Sequence, residues 1–295
     1  MNENKKFFYY PGCSLKGTSL AYEKSLLAVF RYFGFEAPEL PDWNCCGATS
    51  YMSIDEMAAF SLAARNLAIA EKENKDIVAP CPACYAVLNK AKKYIEEYED
   101  VKNVILKGLE KIGLKEYFKG YVKVRHALDV IINEIGIENI KSNIKRKLNG
   151  VRVFSYYGCL LVRPFTDFDN PRYPTKLDEL IRATGAETVE SPLKTKCCGG
   201  SLTGTLESVG LRLSYLIIKE AKRRGAHLIV TVCPLCQFNL EAYQDKMEKT
   251  FNDKLGIPVI FFTQLLGVAL EIDKKELGFE HSLIYPDILY QKALV

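Results

Sequence analysis

Ten cysteines fall into two copies of one five-cysteine pattern: Cys13-x31-Cys45-Cys46-x34-Cys81-x2-Cys84 and Cys159-x37-Cys197-Cys198-x34-Cys233-x2-Cys236. None is left over, and each CysCys pair is followed by glycine, Gly47 and Gly199. The flanking residues repeat as well. Tyr9-Tyr10-Pro11-Gly12-Cys13 answers to Tyr156-Tyr157-Gly158-Cys159, and Ile77-Val78-Ala79-Pro80-Cys81 to Ile229-Val230-Thr231-Val232-Cys233. Such a chain is a tandem duplication in which each half carries one multi-thiolate site.

A length of 295 residues suits two domains of roughly 150 residues, each able to bury a core without covalent staples. The expected division is 1–150 and 151–295, with the join near Leu148–Gly150. A net charge of +4 is spread along the chain and does not favour nucleic-acid binding. The densest basic clusters, Lys145-Arg146-Lys147 and Lys222-Arg223-Arg224, each precede a glycine where a helical stretch ends, and cations there complement the helix dipole. Met1–Lys6 lacks the apolar core of a signal peptide. The longest apolar stretch, Ile257–Leu270, is interrupted by Pro258, Thr263 and Gln264 and falls short of the ~18 apolar residues of a membrane span. A cytoplasmic protein is expected. In a reducing compartment paired cysteines serve as ligands or redox groups rather than structural disulfides.

Short β-branched and aromatic runs alternate with amphipathic helical stretches. Strands are predicted at Lys6–Tyr10, Asp76–Ala79, Tyr121–Val124, Val151–Tyr156, Glu187–Glu190, His227–Val232 and Val259–Phe262. Helices are predicted at Ser19–Phe33, Met57–Glu73, Cys84–Glu99, Leu128–Ile135, Thr175–Thr184, Leu211–Arg223, Cys236–Lys249 and Thr263–Glu271. The first half adds a charged helical segment, Val101–Lys119. This alternation predicts an α/β fold of two tandem repeated domains, each a small, mainly parallel, Rossmann-like sheet with flanking helices, related by a pseudo-twofold. Gly34, Gly185 and Gly225 close helices before the next strand.

In each half a strand runs into Cys-Pro-x-Cys and a helix follows. Proline is tolerated in a first helical turn, so Cys81 and Cys233 should cap helices with Cys84 and Cys236 one turn inside. Free N–H groups and the dipole there favour thiolates. Glycine beside Cys45-Cys46 and Cys197-Cys198 supplies the backbone freedom, or the close approach, that two adjacent ligands require. Cys13 and Cys159 are expected at strand ends, so all five thiols of a half converge at one end of its sheet. A structural zinc takes four ligands, usually from paired CxxC knuckles, and the C-x2-C-x2-C-x3-C-P run of ferredoxins is absent. Five thiolates suit a larger iron–sulfur assembly better than zinc or redox thiols.

A cysteine, a CysCys-Gly and a CxxC at these spacings resemble the cysteine-rich domain that occurs in pairs in the catalytic subunit of methanogen heterodisulfide reductase. Tyr157-Gly158-Cys159-Leu160-Leu161-Val162-Arg163-Pro164 and Asp169-Asn170-Pro171 are also similar to that subunit. The resemblance implies a non-cubane 4Fe-4S cluster in each half, held by Cys13, Cys45, Cys46, Cys81 and Cys84 and by Cys159, Cys197, Cys198, Cys233 and Cys236. It implies reduction of the mixed disulfide of coenzyme M and coenzyme B to the two thiols, in methanogenesis, at a cleft shared by the clusters. Implied partners are the reductase's ferredoxin-like 4Fe-4S subunit and its flavin-containing subunit, with a hydrogenase or formate dehydrogenase as electron source; this chain has no flavin fingerprint.

The disulfide is polyanionic, which directs attention to Arg163, Lys16, Lys194 and Lys196. His126 is a further candidate, set against a satisfied buried histidine. Trp43 is expected to wall the first site. The alternative reading is an iron–sulfur electron-transfer subunit of a glycolate or lactate oxidation complex or a thiol:fumarate reductase. A zinc-stapled binding module is the third.

Overall fold

The computed structural model describes residues 7–291 except 49 and 166. Phe7–Tyr9 (β1), Asp76–Ala79 (β2) and Val124–His126 (β3) form a parallel sheet in the order β1-β2-β3. Arg152–Tyr156 (β4), Glu187–Thr188 (β5), Leu228–Thr231 (β6) and Val259–Phe261 (β7) form a second, in the order β5-β4-β6-β7, again parallel throughout. Apart from the edge pair of β5, nearly every strand residue is buried. That is what continuous apolar runs such as Ile77-Val78-Ala79 and Leu228-Ile229-Val230 require, since parallel sheets are covered on both faces.

Two compact units result. Among the described residues, one takes the chain up to Cys13 together with Phe35–Val130; the other takes Ser14–Gly34 and those from Ile131 onward. These units cut the chain differently from the two halves of the repeat. The helix Leu20–Tyr32 belongs to the second unit because its apolar face finds a partner there. Tyr22 stacks on Phe261 at 4.3 Å, and the buried hydroxyls of Ser25 and Thr263 meet at 2.7 Å. In the first unit the helices Glu56–Lys72 and Pro82–Glu97 flank the sheet, and Glu99–Lys111 turns Ile105 and Leu109 inward. Asp55 starts the first of these by accepting from the Ala58 N–H at 2.9 Å, a side-chain cap.

Most predicted elements appear within a residue or two, Asp76–Ala79 without change; Lys6 lies outside the described residues. The charged helix expected at Val101–Lys119 runs Glu99–Lys111, the one expected at Leu211–Arg223 begins at Glu207, and three others differ for physical reasons. The strand expected at Tyr121–Val124 begins only at Val124, because Glu71 captures the preceding backbone. Its buried carboxylate accepts from the N–H groups of Gly120 at 2.8 Å and Val122 at 3.5 Å. The helix expected at Cys236–Lys249 is two, Pro234–Ala242 and Gln244–Phe251. Gln244 is buried and donates to the Leu240 and Ile257 carbonyls, both at 2.8 Å, which fixes the break. The helix at Leu128–Ile135 passes through a π-helical turn, Ile131–Gly136, before continuing as Ile137–Asn143. Lys145-Arg146-Lys147 lie past the end of that helix. The Lys145 and Arg146 N–H groups instead donate to the Ala269 carbonyl, at 3.0 and 2.9 Å, closing the helix Phe262–Ala269.

Candidate metal centres

Parallel strands deliver the thiols of each unit to one sheet end. In the first unit β1 and β2 are neighbours. Beyond β1 the chain runs through Tyr10 and Pro11 to Gly12, whose φ of +64° suits glycine, and Cys13 then opens a short helical turn, Gly12–Leu15. Beyond β2, Cys81 caps the helix Pro82–Glu97 with Pro82 in its first turn, and Cys84 sits one turn inside. In the second unit β4 and β6 are likewise neighbours. Cys159 follows β4 in a bend, and Cys233 caps Pro234–Ala242 with Cys236 inside. The capping geometry read from Cys-Pro-x-Cys is therefore present twice. Cys13 and Cys159 stand in turns past the strand ends rather than on the strands themselves.

The CysCys corners are loops shaped by contacts on both sides. Gly47 and Gly199 have φ of +82° and +77°. A Cβ at Gly47 would fall 2.8 Å from the Ala59 Cα, and one at Gly199 2.9 Å from the Gly210 Cα. Their N–H groups point back to the Cys45 and Cys197 sulfurs, at 3.4 and 3.3 Å. Across each site the second cysteine of the pair meets the CxxC: Cys46 Sγ is 3.3 Å from Cys84 Sγ, and Cys198 Sγ 3.5 Å from Cys236 Sγ. Gly12 and Gly158 leave room for this, since a Cβ there would fall 2.9 Å from Cys84 Sγ and 3.2 Å from Cys236 Sγ.

Crowding of thiols moves their proton affinities apart. Hydrogen bonds from Cys45 and then Cys84 hold the Cys46 thiol down at about 4. In the second unit hydrogen bonds from Cys159 and Cys198 hold Cys197 down at about 2. Cys84 and Cys236 are pushed up by hydrogen bonding to their neighbours and by burial. A set of thiols sharing protons in this way is suited to exchanging them for cations, as metal binding requires. Cys46, Cys81, Cys84, Cys198, Cys233 and Cys236 are buried, whereas Cys13 and Cys197 are exposed, so each site is anchored inside and open outside. Among the described residues no group of three or more His, Cys, Asp or Glu side chains is arranged to hold one metal ion. Five sulfurs from three corners fit a multi-iron cluster better than a four-ligand zinc knuckle.

Two tyrosines that sequence reasoning passed over sit against these thiols. Tyr10 donates to the Asn44 carbonyl at 2.7 Å and Tyr156 to the Lys196 carbonyl at 2.6 Å. Each acceptor immediately precedes a CysCys pair. Burial, then the thiols (Cys84 and Cys46 first in one unit, Cys236 and Cys198 in the other), raises both phenols well above their usual range. The repeated tyrosine three residues before Cys13 and Cys159 was the available signal. Asn44 is missed too: it exchanges hydrogen bonds with Asn66, at 3.0 Å each way.

The other candidates divide. Trp43 packs on the cluster containing Cys46, Cys81 and Cys84 and meets Tyr10 edge-on at 5.7 Å, as a wall would. His126 is fully buried, with Nε2 2.7 Å from the Pro80 carbonyl and Nδ1 accepting the Leu128 N–H at 3.1 Å, so the backbone occupies both ring nitrogens. Lys194 is buried beside Asp178, and Lys16 lies 2.7 Å from Glu23. Arg163 donates to the Thr195 and Pro171 carbonyls. Lys196 is exposed next to Cys197.

The cysteine-rich domain family designated CCG matches residues 7–89 and 153–241. The chain belongs to the CCG cysteine-rich domain family. Its two CCG domains are the two copies of the repeat. Over 95% of its length the chain is 33% identical to the membrane anchor subunit of the 8-methylmenaquinol:fumarate reductase of Wolinella succinogenes, of which it covers 97%. It is 30% identical, over 95% of its length and 94% of the relative's, to the B-type subunit of the ferredoxin/F420H2-dependent CoB-CoM heterodisulfide reductase of Methanosarcina acetivorans. A protein of Archaeoglobus profundus named for its likeness to that heterodisulfide reductase subunit is 28% identical, covering 92% of the chain and 93% of the relative. The fold is shared with a hypothetical protein from Helicobacter pylori, at a TM-score of 0.76 and 15% identity over 96% of this chain. The chain spans about half of that solved protein's length, 52%. No helix among the described residues is long and apolar enough to cross a membrane.

Proposed function

We propose that the chain is the cluster-bearing catalytic subunit of a cytoplasmic multi-subunit oxidoreductase that reduces the coenzyme M–coenzyme B mixed disulfide. Two complete five-thiol sites, each at the carboxyl ends of a parallel sheet, carry this reading. When bound, one non-cubane 4Fe-4S cluster per unit supplies single electrons, two in all, so that with two protons one S–S bond becomes two S–H bonds. The ten cysteines hold the clusters, and the buried trio of each unit keeps water from its inner side. Arg163 and Lys196 are the cations that meet the substrate's sulfonate or phosphate. The guanidinium spends two of its N–H groups on carbonyls and has others to offer, and Lys196 stands in the open beside Cys197. Electrons come from partner subunits, one ferredoxin-like and one carrying flavin.

The decisive experiment is anaerobic reconstitution with iron and sulfide, then reaction with a reduced viologen and the mixed disulfide. Two thiols per disulfide are expected, and loaded protein that releases none overturns the reading. A second reading is favoured by the fumarate reductase relative at 33% identity. There the clusters only relay electrons within a fumarate-reducing or hydroxyacid-oxidising complex, and loaded protein is reduced and reoxidised without cleaving any disulfide.

A further inference from the structure

We infer that Tyr10 and Tyr156 are positioning residues for the two cluster sites, each fixing the CysCys corner of its own unit through one phenol–carbonyl hydrogen bond. The inference rests on the iron–sulfur reading above. Both tyrosines stand three residues before the first cysteine of their set and are fully buried. Tyr10 is tied to the sheet by its own N–H, which donates to the Val78 carbonyl at 2.9 Å, and Tyr156 is the last residue of β4. From these rigid points the hydroxyls reach the Asn44 and Lys196 carbonyls, the last before Cys45 and Cys197. Tyr10 shares one buried core with Cys46, Cys81 and Cys84, and Tyr156 shares another with Cys198, Cys233 and Cys236. One side chain therefore ties the strand leading to the first cysteine to the CysCys loop, within the same core that holds the CxxC cysteines.

Neither CysCys loop has a helix or strand of its own, so its position depends on such ties. The two corners are not equally dependent. The Asn44 carbonyl also accepts from Asn66 Nδ2 at 3.0 Å, whereas among the described residues Tyr156 alone donates to the Lys196 carbonyl. The Ser214 hydroxyl still holds the Cys198 carbonyl at 2.8 Å, so loss of the phenol should free the Cys197 side of the loop and be felt more at the second site.

Tyr10→Phe and Tyr156→Phe keep the ring and remove only the donor. After reconstitution, iron loss to a chelator and the reduction potentials are compared with the parent. Tyr156→Phe should release its second-site iron at least fivefold faster and shift that potential alone, with Tyr10→Phe showing a smaller change at the first site. A melting temperature that falls while release rate and potential stay at parental values would mean a packing role only, and the inference fails. The same holds if Tyr10→Phe is the more affected. Should Tyr156→Phe not fold, Tyr10→Phe carries the test at its own site. If the parent takes up no iron, the iron–sulfur reading fails. Alkylation of Cys197 in metal-free protein then decides the tie by itself: faster in Tyr156→Phe if it exists, equal if it does not.

Discussion

The Lys194 ammonium lies 2.8 Å from Oδ1 of Asp178, with both side chains buried. Asp178 also accepts from Ser155 at 3.0 Å and from the Tyr157 hydroxyl at 2.6 Å. The Lys194 carbonyl in turn accepts the Tyr157 and Gly158 N–H groups, at 3.0 and 3.1 Å. The pair thus joins the segment before Cys159 to the segment before Cys197. Removing one partner of such a pair strands the other charge, at about 3–5 kcal/mol. Lys194→Met should lose that much in urea unfolding of the metal-free protein, and Lys194→Met with Asp178→Asn should regain most of it.

Each unit should keep its own iron. Cys198→Ser is expected to alter the second site's spectrum and roughly halve iron per chain, leaving the first site's signal in place. Simultaneous loss of both signals would show that the two thiol sets share one group.

Arg163→Ala should raise KM for the disulfide by roughly tenfold or more with iron content unchanged, the effect of one charge-assisted contact worth about 1.5–3 kcal/mol. Lys16→Ala, whose cation already pairs with Glu23, serves as the control with parental KM.

Glu241 gives the second unit a pH dependence. Burial pushes its carboxyl up from 4.5 to about 6, although the Leu283 and Ile284 N–H groups donate to it at 3.1 and 3.2 Å. A raised folded-state value means that the protonated form is favoured by folding. The contribution is full below the ordinary value and fades as pH rises through about 6. Its size is on the order of 2 kcal/mol. Glu241→Gln should unfold with a flatter pH profile across that window, and parallel profiles for variant and parent would contradict the assignment.

The strands and the Cys-Pro-x-Cys caps were legible because each is local: an apolar run, or a proline in a first turn. The thiol sets were legible because duplication printed them twice. Departures arose where one side chain overrode local propensity, as Glu71 does before Val124 and Gln244 does at Tyr243. The tyrosines escaped notice for a related reason. Tyr10 reaches Asn44, 34 residues on, and Tyr156 reaches Lys196, 40 residues on, and neither hydrogen bond leaves a periodic mark. The carboxylates that Lys194 and Lys16 face, Asp178 and Glu23, were not legible in the spacing either.

The glycine after each cysteine pair answers to a helix, and the two helices have met it differently. Ala59 carries a methyl where Gly47 presses on its Cα, but at Gly210 a Cβ would fall 2.7 Å from the Thr203 Cα. The second copy therefore needs a bare backbone on both sides of the crossing, and the first on only one. Offspring of one duplicated segment, the halves are no longer spare parts for each other. Grafting the first helix alone, Glu56–Lys72, into the second position would bring a methyl where Thr203 leaves no room.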